Sequence, residues 1–480
     1  MAYNSSKILQ KLWDISNLFR GFIDSVEYRN YVLNFLFFKY LSDYSRYNRN
    51  LYDDWESFIQ ANKNAIYIPE DLSFESIYEQ RETPNIGKII NSTLKKIEGK
   101  NSSQLYGIFI SADYAVFDDP KSKSDILKIF IEEFKKIELD PKYLTPDLFG
   151  ELFEQILNKF AIDAGKKGAD FYTPLELCRL VSKLIDPQDG QTIYDPVAGS
   201  GGLLIETAKL IESENFSLYA QEQNKNAYIL CKMNTFMNGM NKNIGGIEWG
   251  DVITEPKFLE EEKLMKFDIT VASLPWWEKS EMHHIKDFSR FKWGIPPKGK
   301  GDYAFISHIA SAMNDINGRA AIIIPHGVLF RGGTEKDIRR AMVEDNIIEA
   351  VIGLPPNMMY NSRVPVALFI LKKNRNRDDI LFIDASHEYV SDTHSNKLSP
   401  ENIEKIVCTY RKYETLDKYA YVATKEEVRE NDFNLNIPRY VDTFEEETVD
   451  TEKIMFEIKD LTYKMKKVSE TLDKYLEEIL

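Results

Sequence analysis

Residues 192–204 read TIYDPVAGSGGLL, and this stretch decides the fold that the sequence predicts. An apolar strand leads into Asp195, a glycine-rich turn follows, and apolar residues from Leu203 to Ile211 have helical spacing. Glycines let the backbone approach a ligand closely, and the start of a helix offers free N–H groups. We therefore predict a ligand-binding strand-turn-helix unit, with binding residues Asp195, Pro196, Gly199, Ser200, Gly201 and Gly202.

Short β-type runs alternate with helical stretches from about Gly168 onward, which predicts an α/β domain with a mostly parallel sheet. Ligands of such sheets bind at the carboxyl ends of the strands. The predicted strands are Thr192–Tyr194, Ser217–Ala220, Asp268–Ala272, Arg319–Ile324, Ile347–Ile352 and Ala367–Leu371.

Composition places the chain among folded proteins, because 43% of its 480 residues are hydrophobic and 12% are aromatic. No apolar run reaches the length of a membrane span, and Met1 to Leu12 lacks a signal-peptide pattern, so we expect a cytoplasmic protein without a membrane partner. The cysteines Cys178, Cys231 and Cys408 lie far apart, and we expect buried, reduced thiols. The histidines form no ligand-spaced cluster, so no metal site is predicted.

The net charge of −15 argues against a free-standing nucleic-acid binder, because phosphate contacts require a cationic surface. A subunit can nevertheless be acidic if its partner supplies most of the contacts with DNA. Two local basic strips, 292–300 and 331–340, are candidates for DNA contact, with an ordinary solvated surface as the alternative.

Two acids follow later strands of the predicted domain. Glu222 ends the run from Leu218, where a carboxylate can accept hydrogen bonds from ribose hydroxyls, and this predicts a nucleoside-bearing cofactor. Asp251 follows Trp249 and Gly250 at the expected end of another strand, where it could bind an adenine amino group. A surface or capping role is the alternative for either acid taken alone.

A further strand ends in an unusual turn, Ser273-Leu274-Pro275-Trp276. Ser273 Oγ and the Leu274 carbonyl could accept hydrogen bonds from an exocyclic amine, and Trp276 could stack on a flipped base. Simple buried packing is the alternative for the tryptophan. Upstream, Phe171-Tyr172-Thr173-Pro174 precedes a predicted helix from Leu175 to Leu184 and is either a helix start or a lid over the cofactor.

Helical patterns dominate both ends of the chain. Apolar residues recur at helical spacing from Leu12 to Leu41, with a break near Gly21 and Asp24, and again from Ile126 to Ile137. Near the carboxyl terminus, steps of four and three predict a helix that packs along a partner helix, with a helix folded back on its own domain as the alternative. Its apolar positions are Ile454, Ile458, Leu461, Met465, Val468, Leu472, Tyr475 and Ile479.

Together these residues resemble the modification subunit of type I restriction-modification systems, a group of DNA amino-methyltransferases. Phe171 to Pro174 is similar to the first cofactor motif of that family, Asp195 to Gly202 to its glycine-loop motif, and Glu222 to its ribose-binding acid. Two further stretches, Ile323 to Phe330 and Trp13 to Asp43, also resemble the family. The resemblance covers most of the chain.

The resemblance implies a class I methyltransferase sheet that binds S-adenosylmethionine, and a carboxyl-terminal helix that docks on a DNA-specificity subunit. DNA, a second copy of the chain and, in some assemblies, a nuclease subunit are the other implied partners. We expect a helical N-terminal domain at residues 1–143, a catalytic domain at 144–375, an extension at 376–445 and a docking helix at 446–480.

The catalytic turn departs from the family pattern, which usually reads Asn-Pro-Pro followed by Phe or Tyr. Enzymes that methylate cytosine at N4 carry Ser-Pro-Pro with an aromatic residue, so Ser273 and Trp276 favour cytosine. Adenine N6, the common target of the family, and a catalytically inactive assembly subunit are the alternatives. A nucleotide- or dinucleotide-dependent enzyme is disfavoured by the glycine spacing and by the lack of a P-loop lysine.

Overall fold

A computed structural model describes residues 5–19, 23, 27–51, 66–118, 125–139, 146–163, 172–275, 289–360, 362, 364–392, 395–442, 455 and 458–469. The chain divides into two compact units, Met1–Val441 and Asp442–Leu480. The first unit contains a helical N-terminal region and a large sheet flanked by helices.

The N-terminal region is built from helices whose apolar faces share one core. The helices are α1 (Ser5–Asn17), α2 (Tyr28–Leu51), α3 (Phe74–Glu79), α4 (Ile86–Lys100), α5 (Ser102–Leu105), α6 (Ile126–Lys135) and α7 (Pro146–Asp163). Helices α1, α2 and α6 confirm the helical patterns of the sequence, while the predicted break at Gly21 and Asp24 lies outside the described residues. Short 3-10 helices occur at Glu70–Leu72 and Tyr114–Phe117.

Helix α7 shows why these helices pack together. Its apolar residues recur every three or four positions, so they form one face that is buried among the N-terminal helices. Phe149 stacks on Tyr40 of α2 with ring centroids 4.1 Å apart. Nearby, the buried ion pair between Lys39 and Asp43, 2.6 Å long, joins one turn of α2 to the next.

The strands of the first unit are β1 (Thr192–Asp195), β2 (Ser217–Glu222), β3 (Ile244–Trp249), β4 (Leu259–Glu260), β5 (Lys263–Leu264), β6 (Ile269–Ser273), β7 (Arg319–Pro325), β8 (Ile348–Gly353), β9 (Val366–Lys372), β10 (Ile380–Asp384) and β11 (Ala420–Ala423). Strands β4 and β5 form a separate two-residue hairpin. The described residues give a nine-stranded sheet in the order β11-β10-β8-β9-β7-β6-β1-β2-β3.

All strands of this sheet run parallel except β9 and β11, which confirms the predicted mostly parallel sheet. Its helices are α8 (Leu175–Ile185), α9 (Gly202–Ala208), α10 (Lys225–Met237), α11 (Asp302–Ala312), α12 (Thr334–Glu344), α13 (Pro400–Lys412) and α14 (Lys425–Glu430). Short 3-10 helices lie at Met240–Asn243, Ser289–Phe291, His326–Leu329 and Ile437–Arg439.

Alternate residues of the strands enter two different cores, because successive side chains of a strand point to opposite faces of a sheet. Ile323 packs in the cluster that contains α8, α9 and α13, whereas Ile322 and Ile324 pack in the cluster that contains α11 and α12. The sheet is therefore covered by helices on both faces. Strands β10 and β11 extend it past residue 375, and the domain boundary expected there stays a prediction.

One thiol differs from the sequence prediction. Cys178 and Cys231 are buried as expected, but Cys408 is exposed, so that part of the prediction is wrong. Helix α13 buries Ile403, Ile406 and Val407, and position 408 falls on its outer side, where the thiol donates to Glu404 Oε1 at 3.2 Å.

The second unit is helical over residues 458–469. The residues of the predicted apolar seam in this part are exposed, including Ile458, Leu461, Met465 and Val468. Across the described part of the whole chain, no helix is both long enough and apolar enough to cross a membrane.

Candidate active site

Four neighbouring parallel strands bring most of the predicted site residues to one edge of the sheet. Strands β6, β1, β2 and β3 lie side by side in that order. Ser273 ends β6, Asp195 ends β1, Glu222 ends β2, and Asp251 follows β3 after one intervening residue, Gly250. Because the strands are parallel, these carboxyl ends share one edge, which is where ligands of such sheets bind.

The glycine-rich loop after β1 is tightly folded against its neighbours. Gly199 and Gly201 have positive φ angles of 55° and 84°, which other residues rarely adopt. A side chain on Gly201 would lie 2.9 Å from Cys231 Sγ of α10, so this position also requires glycine for space. The loop continues directly into α9, whose first residue is Gly202.

Two acidic side chains support this loop from inside the protein. Asp195 is 1% exposed, and its Oδ1 accepts a hydrogen bond of 3.0 Å from the Val197 amide. Burial raises the pKa of Asp195 to about 8, the Val197 bond opposes this shift, and the nearby Glu222 adds to it. Glu222 accepts from the amides of Gly199 at 2.8 Å and Asn224 at 2.7 Å.

Asp251 holds the turn that follows β3. Its Oδ1 accepts from the Ile253 amide at 2.8 Å, and its Oδ2 accepts from the Thr254 hydroxyl at 2.9 Å. Behind this turn, the buried Arg290 donates to the Val252 carbonyl at 2.8 Å. The carboxylate thus caps the turn, and its predicted contact with an adenine group stays a prediction.

Ser273 faces the same cleft as the glycine-rich loop. The cleft is lined by Tyr172, Thr173, Asp195, Val197, Ala198, Gly199, Ser200, Gly202, Leu203, Ser273 and Met359. Ser273 at the end of β6 therefore lines one cavity with the loop at the end of β1. The next residue, Leu274, is buried, and its amide donates to the Ile323 carbonyl at 3.2 Å.

The remaining predicted residues lie around this cleft or outside the described chain. Pro174 caps α8, Pro196 is buried within the loop, and Pro275 belongs to the turn after β6. Phe171 and Trp276 lie outside the described residues, so their predicted roles stay predictions. Among the described residues, no three His, Cys, Asp or Glu side chains are grouped to hold a metal ion.

Two arginines of the basic strip predicted at 331–340 are engaged within the protein, and contact of the strip with DNA stays a prediction. Arg331 forms ion pairs with Asp302 and Glu335. Arg339 is 1% exposed and donates to the carbonyls of Phe433, Val328 and Arg331. Both side chains stabilise the fold, because Arg331 neutralises two carboxylates and Arg339 satisfies backbone carbonyl groups.

Sequence reasoning missed two residues that matter to the cleft. Met359 belongs to the loop between β8 and β9, which leaves the same edge of the sheet, and a proline-rich stretch after a strand (Pro355-Pro356) was the available signal. Asn234 of α10 donates to the Ser200 carbonyl at 3.0 Å. Nothing in its helical sequence context indicated that contact.

Two family models match the chain. The model of the N-6 DNA Methylase family matches residues 144–449, and the model of the HsdM N-terminal domain matches residues 8–134. The first match alone covers more than half of the chain and includes the whole cleft.

Relatives and a solved structure agree with the family models. The chain is 32% identical to the type I restriction enzyme MjaVIII methylase subunit of Methanocaldococcus jannaschii, over 95% of this chain and 82% of that protein. It is 29% identical to the MpnII methylase subunit of Mycoplasma pneumoniae, over 98% and 96%. A type I restriction-modification methyltransferase subunit from Streptococcus thermophilus superimposes with a TM-score of 0.83 at 31% identity, over 92% of this chain and 100% of that chain.

Proposed function

Since this chain belongs to the N-6 DNA methylase family and is the DNA methyltransferase subunit of a type I restriction-modification system, we propose that it methylates an exocyclic amine of a flipped base with S-adenosylmethionine. The observation that carries this proposal is the shared cleft. Ser273 and the glycine-rich loop line one cavity at the carboxyl edge of the sheet.

The residues around the cleft fit S-adenosylmethionine. Gly199 and Gly201 carry no side chains and have positive φ angles, so the loop backbone can approach a ligand closely. Glu222 accepts from the amides of Gly199 and Asn224, so its carboxylate lies beside the loop at the end of β2, where an acid can bind ribose hydroxyls. Tyr172 and Thr173 line the same cavity and suit the amino-acid end of the cofactor.

When bound, S-adenosylmethionine supplies an electrophilic methyl group on its sulfonium. The chain itself must hold the amine of the base in one orientation, which contributes most when donor and acceptor atoms are fixed in place. In our proposal Ser273 Oγ accepts one amine hydrogen and the Leu274 carbonyl accepts the other, which leaves the nitrogen lone pair free. Trp276 would stack on the ring of the flipped base.

Cytosine N4 is the target that we propose. A serine hydroxyl is shorter than an asparagine amide and can donate as well as accept. Ser273 stands where the family usually has asparagine, and serine with an aromatic residue is typical of N4-cytosine enzymes. Adenine N6 is the second candidate, and the description of the matching family as N-6 DNA Methylase favours it.

The proposed partners are DNA, a specificity subunit, a second copy of the chain and, where the system includes one, a nuclease subunit. Relatives named as subunits of type I restriction enzymes support an assembly. The net charge of −15 supports a partner that supplies most of the DNA contacts. The exposed apolar residues of the helix at 458–469 provide a surface for the specificity subunit.

The decisive experiment is base-resolved modification analysis of DNA from cells that express this chain with its specificity subunit. We expect N4-methylcytosine at one bipartite motif. N6-methyladenine at such a motif would support the proposed methyltransferase activity but reject cytosine as its target. Absence of any modified base, despite cofactor binding, would instead indicate an assembly subunit.

A Ser273→Ala variant is the control for the proposed role of the hydroxyl. The substitution removes the side-chain acceptor and leaves the glycine-rich loop untouched. We expect loss of methyl transfer with unchanged cofactor affinity. Full activity of this variant would reject the role of Ser273.

A further inference from the structure

Helix α10 contacts two different parts of the first unit with two of its faces. One face contributes Ile229, Leu230, Met233 and Met237 to the apolar core of the N-terminal helices. Another face lies against the glycine-rich loop, where Cys231 is beneath Gly201 and Asn234 is beneath Ser200. Residues of one short helix therefore connect the N-terminal core to the cleft.

The side chain of Asn234 is fully hydrogen bonded in this position. It is 0% exposed, and its Nδ2 donates to the Ser200 carbonyl at 3.0 Å and to Glu154 Oε1 of α7 at 2.8 Å. An amide nitrogen carries two hydrogens, so both are used. Its Oδ1 accepts from Asn238 Nδ2 at 3.1 Å. Because an unpaired buried polar atom is costly, these three bonds fix the orientation of the amide.

The loop is thus held at two successive residues. Glu222 accepts from the Gly199 amide at 2.8 Å, and Asn234 donates to the carbonyl of Ser200. The peptide that carries the Ser200 carbonyl leads into Gly201, whose φ angle of 84° depends on the orientation of that peptide. Asn234 therefore holds the peptide next to Gly201, where the loop has a backbone conformation that other residues rarely adopt.

Helix α7 supplies the other end of the connection. Its Phe149, Phe153 and Phe160 are buried in the N-terminal core, while Glu154 reaches Asn234. Gly150 lets α7 approach α10 closely, since a side chain there would lie 2.2 Å from Asn238 Oδ1. The contact between the two helices is therefore close where the hydrogen bonds form.

We propose that Asn234 and Glu154 are a pair of positioning residues that holds the glycine-rich loop in its cofactor-binding form and ties it to the N-terminal helical core. This inference rests on the proposed binding of S-adenosylmethionine at the loop. Neither side chain lines the cleft, so the pair acts on the cofactor through Ser200. It follows that cofactor affinity depends on two residues that do not touch the cofactor.

Calorimetric titration with S-adenosylmethionine tests the pair. We compare the intact chain with Asn234→Ala and with Thr235→Ala, a matched control one position along the same helix. Thr235 is also 0% exposed, and its hydroxyl donates within the helix, to the Cys231 carbonyl at 2.8 Å. We expect about ten-fold weaker binding for Asn234→Ala, the effect of one buried hydrogen bond, and less than about two-fold change for the control.

Two substitutions at Glu154 provide a second test that does not require changing α10. Glu154→Gln keeps an oxygen that can accept from Asn234 and is expected to bind the cofactor like the intact chain. Glu154→Ala removes the acceptor and is expected to weaken binding about five- to ten-fold. Equal binding by Glu154→Ala and the intact chain would overturn the proposal.

The thermal midpoint of the cofactor-free variants separates positioning from simple loss of stability. A purely structural role of Asn234 would lower the midpoint of Asn234→Ala and leave the affinity of the folded protein unchanged, which would overturn the inference. If the intact chain itself fails to bind S-adenosylmethionine, the proposed function fails. If the intact chain binds it and Asn234→Ala binds it equally well, only the positioning pair is rejected.

Discussion

The Gly199 amide donates a hydrogen bond of 2.8 Å to Glu222 Oε2, which joins the loop after β1 to the end of β2. The acid that sequence reasoning assigned to the ribose therefore has a second task, because it shapes the loop before a ligand binds. A loop that is ordered in advance loses less conformational entropy on binding.

Two substitutions of Glu222 should weaken cofactor binding to different extents. Glu222→Gln keeps one accepting oxygen but loses the charge, and we expect about ten-fold weaker binding of S-adenosylmethionine. Glu222→Ala loses the hydrogen bonds from both backbone amides and the acceptor for the ribose, and we expect about 100-fold weaker binding. Equilibrium titration measures both. Glu248→Ala, on the exposed edge strand β3, is the control for loss of one negative charge, and equal affinities in all variants would contradict the assignment.

The burial of Asp195 predicts a pH dependence of stability. Its pKa is raised from 3.8 to about 8, so between about pH 4 and pH 8 the unfolded chain loses a proton that the folded chain retains. The free energy of unfolding must then fall as pH rises through this window. Asp195→Asn removes this contribution and retains an oxygen for the Val197 amide. Denaturant unfolding at several pH values measures the free energy of unfolding of both proteins. As pH rises through this window, the variant should gain stability relative to the intact chain. Free energies that change with pH in the same way in both proteins would refute the pKa shift of Asp195.

Gly201→Ala should damage the loop for two separable reasons. The positive φ angle costs alanine about 1–2 kcal/mol, and the new methyl group would meet Cys231 Sγ. We expect loss of cofactor affinity and a lower thermal midpoint. Adding Cys231→Ala should restore part of the loss, because it removes the steric component only. Gly299→Ala has no atom within 4 Å of the added carbon and should be neutral.

Ser273→Asn should change the ratio of the two possible products. Asparagine restores the residue that the family usually carries at this position, and its longer amide oxygen reaches further into the cleft. We expect more N6-methyladenine relative to N4-methylcytosine in base-resolved analysis. An unchanged ratio would mean that the residue at this position does not select the base.

The exposed seam of the carboxyl-terminal helix predicts where the specificity subunit docks. Leu461→Lys together with Met465→Lys places two charges on apolar positions that are 60% and 74% exposed, so folding should be unaffected. We expect loss of the specificity subunit on co-purification, and deletion of 449–480 should have the same effect. Lys466→Ala, off the seam, should retain it. A complex that survives both the double substitution and the deletion would reject this docking site.

The sequence predicted the strands and the carboxyl-edge site well because both rest on local patterns. The run into Asp195 and the glycines after it determine a strand, a turn and a helix from neighbouring residues alone. Strands β10 and β11 were not predicted. The chain between 376 and 442 enters the same sheet only through pairing with β8, a contact that local periodicity does not report.

The parts of the site that could not be predicted depend on tertiary contacts. Met359 enters the cleft because β8 ends at the same edge as β6, and Asn234 reaches Ser200 because α10 packs beneath the loop. The exposure of Cys408 depends on which side of α13 faces the sheet. In each case an ordinary residue gained its role from the packing of elements that are distant in sequence.

The two faces of α10 have a consequence for chimaeras between relatives. A hybrid joined at residue 144 would combine the N-terminal helices of one protein with Ile229, Met233 and Met237 of another, and these residues belong to the same apolar core. No single position in the sequence of the first unit therefore separates its helical part from its sheet-bearing part. Modules that exchange freely would have to include α10 with the N-terminal helices, although more than 60 residues of chain lie between α7 and α10.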